Sequence, residues 1–288
     1  MTIQITLNLN LPAVPNFPNG GIQYDQRYQN ELNNILRLYL QRLRAGLAGL
    51  ATGDIDFTLT LPYGSFYQDG VTTLTSAIPN GTSTAAIQVA STEGFADSGY
   101  IIIEQEIISY TTKTATTFDG TITRGVLGTN AGKSAHALGT YVSEAAASGA
   151  GTAAAAKLDS VILSNGVTCT VPDSKIYFDT DGVYNIQFSA QLLNYSTAED
   201  NVTIWFKKNG TDIDYSASIE QVNSKHGTSP GATIVALNFV DSFVAGDYVE
   251  LYWSSDSGDT VLATYPQSAI HPASPSLILT VQYVSEIP

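Results

Sequence analysis

The most regular alternation of apolar and polar residues lies between residues 181 and 210. Apolar residues occupy every second position in two runs there: Tyr184, Ile186 and Phe188, and then Val202, Ile204 and Phe206. A period of two predicts β-strands that have one apolar and one polar face. Asp181-Gly182 and Asn209-Gly210 predict tight turns before the first strand and after the second, because these residue types accept a positive φ.

The N-terminal residues show a strand pattern followed by a break. Residues 2–11 alternate apolar with polar positions, and residues 12–21 contain three prolines and two glycines. Proline and glycine interrupt regular structure, so we interpret residues 1–23 as an extended arm and linker. The strand in this arm has no neighbouring hairpin partner, and we expect it to pair with another subunit or another protein.

Residues 24–52 carry apolar side chains three or four positions apart, which predicts one amphipathic α-helix. We expect its apolar stripe to form a seam between subunits in a parallel bundle, at Leu32, Ile35, Leu36, Tyr39, Leu43 and Leu47. The alternative is that the stripe packs on the β-domain of its own chain. Four arginines predict either docking on an acidic partner or a solvated polar face: Arg27, Arg37, Arg42 and Arg44.

A different sequence pattern begins near residue 70, where short strand-like runs are separated by turns at Asn80-Gly81, Gly94 and Asp119-Gly120. These runs predict a small all-β module over residues 70–144. Residues 145–156 are rich in alanine and carry no basic residue and no acid, which favours a linker, either as a short helix or as an exposed loop. Two arrangements remain open: the module is an insertion in the following domain, or it is a separate bead on the chain.

Composition narrows the classes of partner. The chain has 288 residues, a formal charge of −14 and an apolar fraction of 43%. This much acidic charge argues against a nucleic acid or an anionic membrane surface as partner, since both require a basic face. No signal peptide and no run of about 20 apolar residues occurs, so we expect synthesis in the cytoplasm and no membrane insertion. The single cysteine, Cys169, predicts a buried thiol and no disulfide within one chain.

Motifs that carry chemistry are weak in this chain. Residues 227–231 match GxSxG, but Pro230 has no N–H for an oxyanion hole. Asp179 and Asp181 lack the later ligands of a calcium loop, and the three histidines have no second ligand at metal spacing. Other acidic residues crowd turns, where aspartate bonds the local backbone: Asp200, Asp212, Asp214, Asp256 and Asp259. We therefore expect no enzyme activity and no catalytic, cofactor-binding or metal-binding residues.

Three motifs in the second half occur in an order that resembles a known family. They are GVYNIQFSAQL at residues 182–192, IWFKKNG at 204–210 and AGDYVELYWSS at 245–255. This order resembles the trimeric jelly-roll domain of the tumour-necrosis-factor and complement globular-head family, in the form found in bacteriophage virion proteins. Residues 62–66 resemble the strand that opens this roll. The resemblance implies a mainly β chain whose jelly-roll sandwich comprises residues 53–69 and 145–288, with the small module inserted between them.

The module itself resembles one found in phage fibre and virion proteins. Its motifs read GxIxIxxExIxYT at residues 99–111, TRGxxGT at 123–129 and AHxxGxxV at 135–142. Gln105 stands where that module usually has a small residue. No reaction is attached to such modules, so the resemblance implies a spacer or adhesion role.

These resemblances imply a structural virion protein, a homotrimer whose arm and helix bind other virion proteins and whose head contacts a host glycan or protein. Candidate aromatic residues of the trimer interface are Tyr252, Trp253 and Tyr265. Candidate receptor contacts lie in two loops, at Tyr195, Asn201, Asn223 and His226. One alternative is a non-adhesive head-decoration or tail-connector protein, and another is a polysaccharide-degrading enzyme.

Overall fold

The structure is a computed structural model that describes residues 35–41, 61–81, 85–129 and 134–287. The chain divides into two compact units, Met1–Thr60 and Leu61–Pro288. In the first unit residues 35–41 are helical, inside the range predicted for a helix. Ile35 and Tyr39 are half-buried there and Leu36 is exposed. The predicted arm strand and the other seam residues, Leu32, Leu43 and Leu47, lie outside the described residues.

The second unit is built from antiparallel strands, as the sequence predicted. In chain order they are β1 Tyr63–Gln68, β2 Val71–Thr73, β3 Ile87–Gln88, β4 Gly99–Ile103, β5 Glu106–Tyr110, β6 Thr112–Lys113, β7 Thr117–Asp119, β8 Thr123–Arg124, β9 Tyr141–Ala147, β10 Ala154–Ala155, β11 Ser160–Asn165, β12 Val167–Thr168, β13 Ile176–Phe178, β14 Gly182–Asn194, β15 Asp200–Lys208, β16 Thr211–Asp212, β17 Ser218–Val222, β18 Gly231–Phe243, β19 Tyr248–Ser255, β20 Thr260–Ala263 and β21 Leu277–Ser285. Within the described ranges, no helix has the length and apolar character needed to cross a bilayer.

Two sheets form a β-sandwich around one apolar core. The first has the order β11-β1-β21-β14, with β18 on the other edge of β14. The second has the order β12-β13-β19-β15, with β16 and β17 on β15 and β10 on β19. Both sheets contribute large buried side chains to this core: Phe66, Phe178, Tyr184, Phe206, Phe243 and Trp253. The mainly β fold is therefore confirmed.

The alternation that predicted β14 and β15 matches their burial. The apolar residues at every second position of both strands are buried, and the residues between them are half-buried or exposed. Asn209 and Gly210 have φ of 51° and 82°, as a two-residue hairpin turn of this type requires. The turn predicted at Gly182 was wrong, because Gly182 lies in β14 without a positive φ. A Cβ there would lie 2.3 Å from the ring of Tyr283, so close packing requires the glycine.

Residues 71–142 form the small β module, which has its own apolar core. Phe95, Tyr110 and Phe118 are among its buried side chains, and β3, β7 and β6 form a separate three-stranded sheet over it. The predicted turns at Gly81, Gly94 and Gly120 all have a positive φ. The chain leaves the sandwich after β1 and returns to it through β9, β10 and β11.

The alanine-rich return segment is not the linker that its composition indicated. Residues 145–147 end β9 and pair with β20, while residues 154–155 form β10 and pair with β19. The first sheet therefore continues from β14 through β20 and β9 into β4, β5 and β8 of the module. Composition could not indicate this, because alanine packs closely between strands when tertiary contacts provide the partners.

The Trp253 side chain, which the sequence assigned to a subunit interface, lies in the sandwich core. It is 1% exposed inside the core, so its assignment to the trimer interface was wrong: in β19 its neighbours Tyr252 and Ser254 point outward and Trp253 points inward. We expect Trp253→Ala to lower the free energy of unfolding by about 3–5 kcal/mol. Tyr252→Ala is the matched control and should cost less. Urea unfolding at one fixed protein concentration measures both, and equal losses would contradict this packing.

Candidate functional site

Besides Trp253, one of the predicted contact residues of the head is buried, and the others lie at the surface. Asn201, Asn223 and His226 are exposed, and Tyr265 is 37% exposed. Tyr195 is 4% exposed, so it is not the exposed loop residue that the sequence predicted. Its side chain packs with apolar residues of β4, β5, β14 and β20: Ile102, Ile107, Leu193, Val261 and Ala263. Sequence alone could not place the module against this loop.

Tyr252, the remaining candidate, lies on the outer face of the second sheet. Its ring centroid lies 5.9 Å from that of Trp205, and the amine of Lys207 lies 4.6 Å above the Tyr252 ring. Trp205 Nε1 donates a hydrogen bond to Asp212 at 2.6 Å. A cation held over an aromatic face is stabilising. Tyr252 is thus half-buried by neighbours of its own chain.

The outer face of the first sheet carries no charged residue along three neighbouring strands, β21, β14 and the edge strand β18. The strand registers place thirteen outward side chains of β14, β18 and β21 on it: Val183, Asn185, Gln187, Ser189, Gln191, Ala232, Ile234, Ala236, Asn238, Val240, Ile278, Thr280 and Gln282. We call this surface the uncharged face. Ile234 is 67% exposed and Val240 is 54% exposed. None of the 26 acidic and 12 basic residues of the chain occupies these thirteen positions.

Edge strand β11 extends the apolar character of this side of the sandwich. Val161, Ile162 and Leu163 are 39%, 60% and 50% exposed. The strand pairs with β1 along one edge. Exposed aliphatic residues on an edge strand mark a surface that another chain can cover.

The module contains a buried ionic network that the sequence motifs did not predict. Arg124 Nε and Nη2 donate to the two carboxylate oxygens of Glu106 at 2.9 and 2.6 Å. His136 Nε2 lies 2.8 Å from Glu106 Oε2, and His136 Nδ1 lies 3.0 Å from Glu104 Oε2. Arg124 also donates to the backbone carbonyls of Pro79, Gly81 and Ser134.

The network explains why the module motifs contain these polar residues. Burial would raise the pKa of Glu106, but hydrogen bonds from Arg124 and His136 outweigh it and lower that pKa below its ordinary value. Glu106, Arg124 and His136 are the acidic, basic and histidine residues at the fixed positions of the three quoted motifs. The separate motifs hid their association, although a glutamate, an arginine and a histidine in otherwise apolar or glycine-rich runs were a usable signal. Among the described residues, no cluster of His, Cys, Asp and Glu is suited to hold a metal ion.

A cleft of about 840 Å³ opens beside this network, between the module and the sandwich. The module contributes one wall and the sandwich the other: Glu104, Gln105, Glu106, Gly128, Thr129, Ser134 and His136 face Tyr195, Lys225, Gly227 and Thr228. Lys225 Nζ donates to the Gly128 carbonyl at 2.6 Å, which bridges the two walls. Both predicted receptor loops thus contribute to a concave surface, residues 195–201 through Tyr195 and residues 222–231 through Lys225, Gly227 and Thr228. His226 and Asn223 are in the second of these loops but do not line the cleft.

Two carboxylates flank the connection between β1 and β2. Asp159 accepts hydrogen bonds from the backbone of Asp69 at 3.0 Å and of Gly70 at 3.1 Å. Glu144 is buried and accepts a hydrogen bond from Gln68 Nε2 at 2.9 Å. Burial raises the pKa of Glu144. Burial, together with the negative charges of Glu144 and Asp69, raises the pKa of Asp159 to about 7.

A scan against protein-family models finds no match to this chain, and no curated protein matches it at a significant level. The family resemblance of the sequence motifs therefore stays a prediction.

The buried network should stabilise the module only while both partners of the ion pair are present. Arg124→Ala leaves the Glu106 carboxylate buried without its cation, and we expect the free energy of unfolding to fall by about 3–5 kcal/mol. Glu106→Gln combined with Arg124→Met should recover part of this loss. Lys207→Ala, which breaks the surface pair with Asp212, is the control and should cost much less. Denaturant unfolding measures all three, and equal losses in the two single variants would contradict the role of burial.

Asp159 should make stability depend on pH. Its folded pKa of about 7 lies above the ordinary aspartate value, so the unfolded chain loses this proton first as pH rises. The contribution of Asp159 to stability is therefore full at about pH 4, falls as pH rises towards 7 and changes no further above that. We expect the melting temperature to fall less between pH 5 and pH 8 in Asp159→Asn than in the wild type. The exposed Asp214→Asn is the control, and identical pH profiles for all three proteins would refute the shift.

Proposed function

We propose that this chain is a homotrimeric structural protein of a bacteriophage particle, whose N-terminal arm and helix bind other virion proteins and whose sandwich head contacts the host. The observation that carries the proposal is the uncharged face of the first sheet. The strand order and the exposed edge at β11 support it.

The strand order supports a jelly-roll sandwich. Eight principal strands, numbered 1 to 8 along the chain, are β1, β13, β14, β15, β17, β18, β19 and β21. In these numbers the first sheet has the order 1-8-3-6 and the second has the order 2-7-4-5. Such an interleaving is the double Greek key of a jelly roll, the fold that the sequence motifs resemble.

The uncharged face favours association with further copies of this chain. Copies that each carry a charge of −14 repel one another, and they approach closely where no charge must be desolvated. Interface cores are depleted of charged residues, as this face is. The number of copies, three, follows from the resemblance of the motifs.

A charge on the uncharged face should disrupt assembly. Ala236 is exposed near its centre, and we expect Ala236→Glu to convert the trimer to monomer at micromolar concentration, because three copies would bury three unpaired carboxylates. Thr203→Glu adds the same charge to the outer face of the second sheet and should leave the trimer intact. Sedimentation equilibrium measures the mass of each protein. A monomeric wild type would overturn the trimer, and a trimeric Ala236→Glu variant would remove the face as its interface.

The place in the virion is tested separately. Purified particles labelled with an antibody against this chain should show the protein at a defined position on the tail or the head. Its absence from the particles would overturn the proposal. Its presence together with unchanged host adsorption after antibody treatment would leave a decoration or connector protein in place of an adhesin.

A further inference from the structure

We propose that the cleft between the module and the sandwich binds a neutral saccharide. This rests on the proposed function only for its use in host attachment, since binding itself is a property of the purified protein. The inference depends on three features of the cleft: its place between two packed bodies, the rigidity of its walls and the chemistry of its lining.

The place and size of the cleft suit a small ligand. Ligand sites are concave, have volumes of about 300–1,000 Å³ and occur preferentially where domains meet. This cleft has a volume of about 840 Å³ and lies where the module meets the sandwich. Tyr195 and the apolar residues around it pack the two bodies together beside the cleft. The cleft is therefore formed by the packing of the module against the sandwich and not by one loop alone.

Hydrogen bonds hold the sandwich wall in place, and close backbone packing fixes Gly128 of the module wall. On the sandwich side, the backbone N–H of Lys225 donates to the Ser196 carbonyl at 2.8 Å, and His226 and Ser229 exchange two backbone hydrogen bonds at 2.9 and 3.2 Å. On the module side, a Cβ at Gly128 would lie 2.7 Å from the Tyr195 carbonyl oxygen, so the two backbones touch. A preformed site loses little entropy on binding, which favours affinity for a small ligand.

The lining favours hydroxyl groups as binding partners. Gln105, Ser134 and Thr228 are exposed and offer both donors and acceptors of hydrogen bonds. The carboxylate of Glu104 is 58% exposed. One of its oxygens is bonded to His136, and the other has no hydrogen-bond partner among the described residues. Sugar hydroxyls both donate and accept, so they match such a mixed set. A largely apolar ligand fits poorly, because Tyr195 is the one large apolar side chain of the described lining.

The charges of the lining favour a neutral ligand over an ionic one. Glu104 and Lys225 carry opposite charges, and the Glu106 carboxylate is already neutralised by Arg124 at 2.6 Å. Among the described lining residues, an anionic glycan would meet the carboxylate of Glu104 and one lysine, Lys225. A nucleic acid would need several phosphate contacts, which a single lysine does not supply. The charges of the described lining therefore favour a neutral saccharide.

The test is a glycan array probed with the labelled full-length protein, followed by titration of the best neutral glycan. We expect saturable binding to neutral glycans. Thr228→Trp fills the cleft and should weaken binding at least about tenfold, and Gln105→Ala should weaken it about threefold to tenfold. His226→Trp is the matched control, because it places the same side chain in the same loop outside the lining, and it should change affinity less than about twofold. Thermal melting checks that each variant is folded.

Three results would each overturn the proposal: no neutral glycan bound by the wild type, a preference for charged glycans, or equal affinity in Thr228→Trp and the wild type. These results are independent of the proposed function. A trimer that is present in virions but binds no glycan removes only the saccharide site. A monomer that binds glycan through the cleft removes only the trimeric assembly.

Discussion

The hydrogen bonds between β9 and β20 join the small module to the sandwich, and the arrangement of the second unit depends on them. Ala145, Ala146 and Ala147 pair with Ala263, Leu262 and Val261 in a continuous antiparallel register. Through this pairing one sheet extends across both bodies. Small side chains in β9 allow the strands and their neighbours to pack closely, and the module is thereby held against the loop that follows β14. Without this pairing, Tyr195 would be exposed and the cleft would not exist.

The outer faces of the two sheets differ in charge. The uncharged face of the first sheet carries no charged side chain. The outer face of the second sheet carries lysines over tyrosine rings, Lys175 over Tyr248 and Lys207 over Tyr252. The buried charges of Arg124 and Glu106 are paired with each other. An acidic protein that must assemble with itself needs a surface where like charges do not meet. The uncharged face supplies such a surface on the most extensively paired strand of the sandwich, β14.

The buried network of the module and the carboxylates at its base have different physical consequences. In the network, each carboxylate oxygen of Glu106 has a cationic donor, so ionisation is favoured and the pKa is lowered. At the base, Asp159 and Glu144 lie near each other with backbone and amide donors, and burial raises both pKa values. The network therefore fastens the module internally at neutral pH. The base, where the chain leaves the sandwich, is the part whose stability responds to pH.

The local pattern of residues was sufficient to predict strands β14 and β15 and several turns. Period-two alternation identified β14 and β15, because each has one face in the core, and Asn209-Gly210 identified the hairpin turn, because the turn itself needs a positive φ. These properties depend on neighbouring residues only. The mainly β class followed from them.

Only the tertiary structure decided which face of a strand meets which partner. Trp253 and Tyr195 were both assigned to exposed contacts, and both are buried, because the facing sheet and the module lie over them. The composition of residues 145–147 predicted a linker. These alanines form a strand, because β20 provides their hydrogen-bond partners. Glu106, Arg124 and His136 are 12 to 30 positions apart in the sequence, and only folding brings their charges within hydrogen-bond distance. Burial, pairing and the cleft depend on contacts between distant segments, which a one-dimensional pattern does not contain.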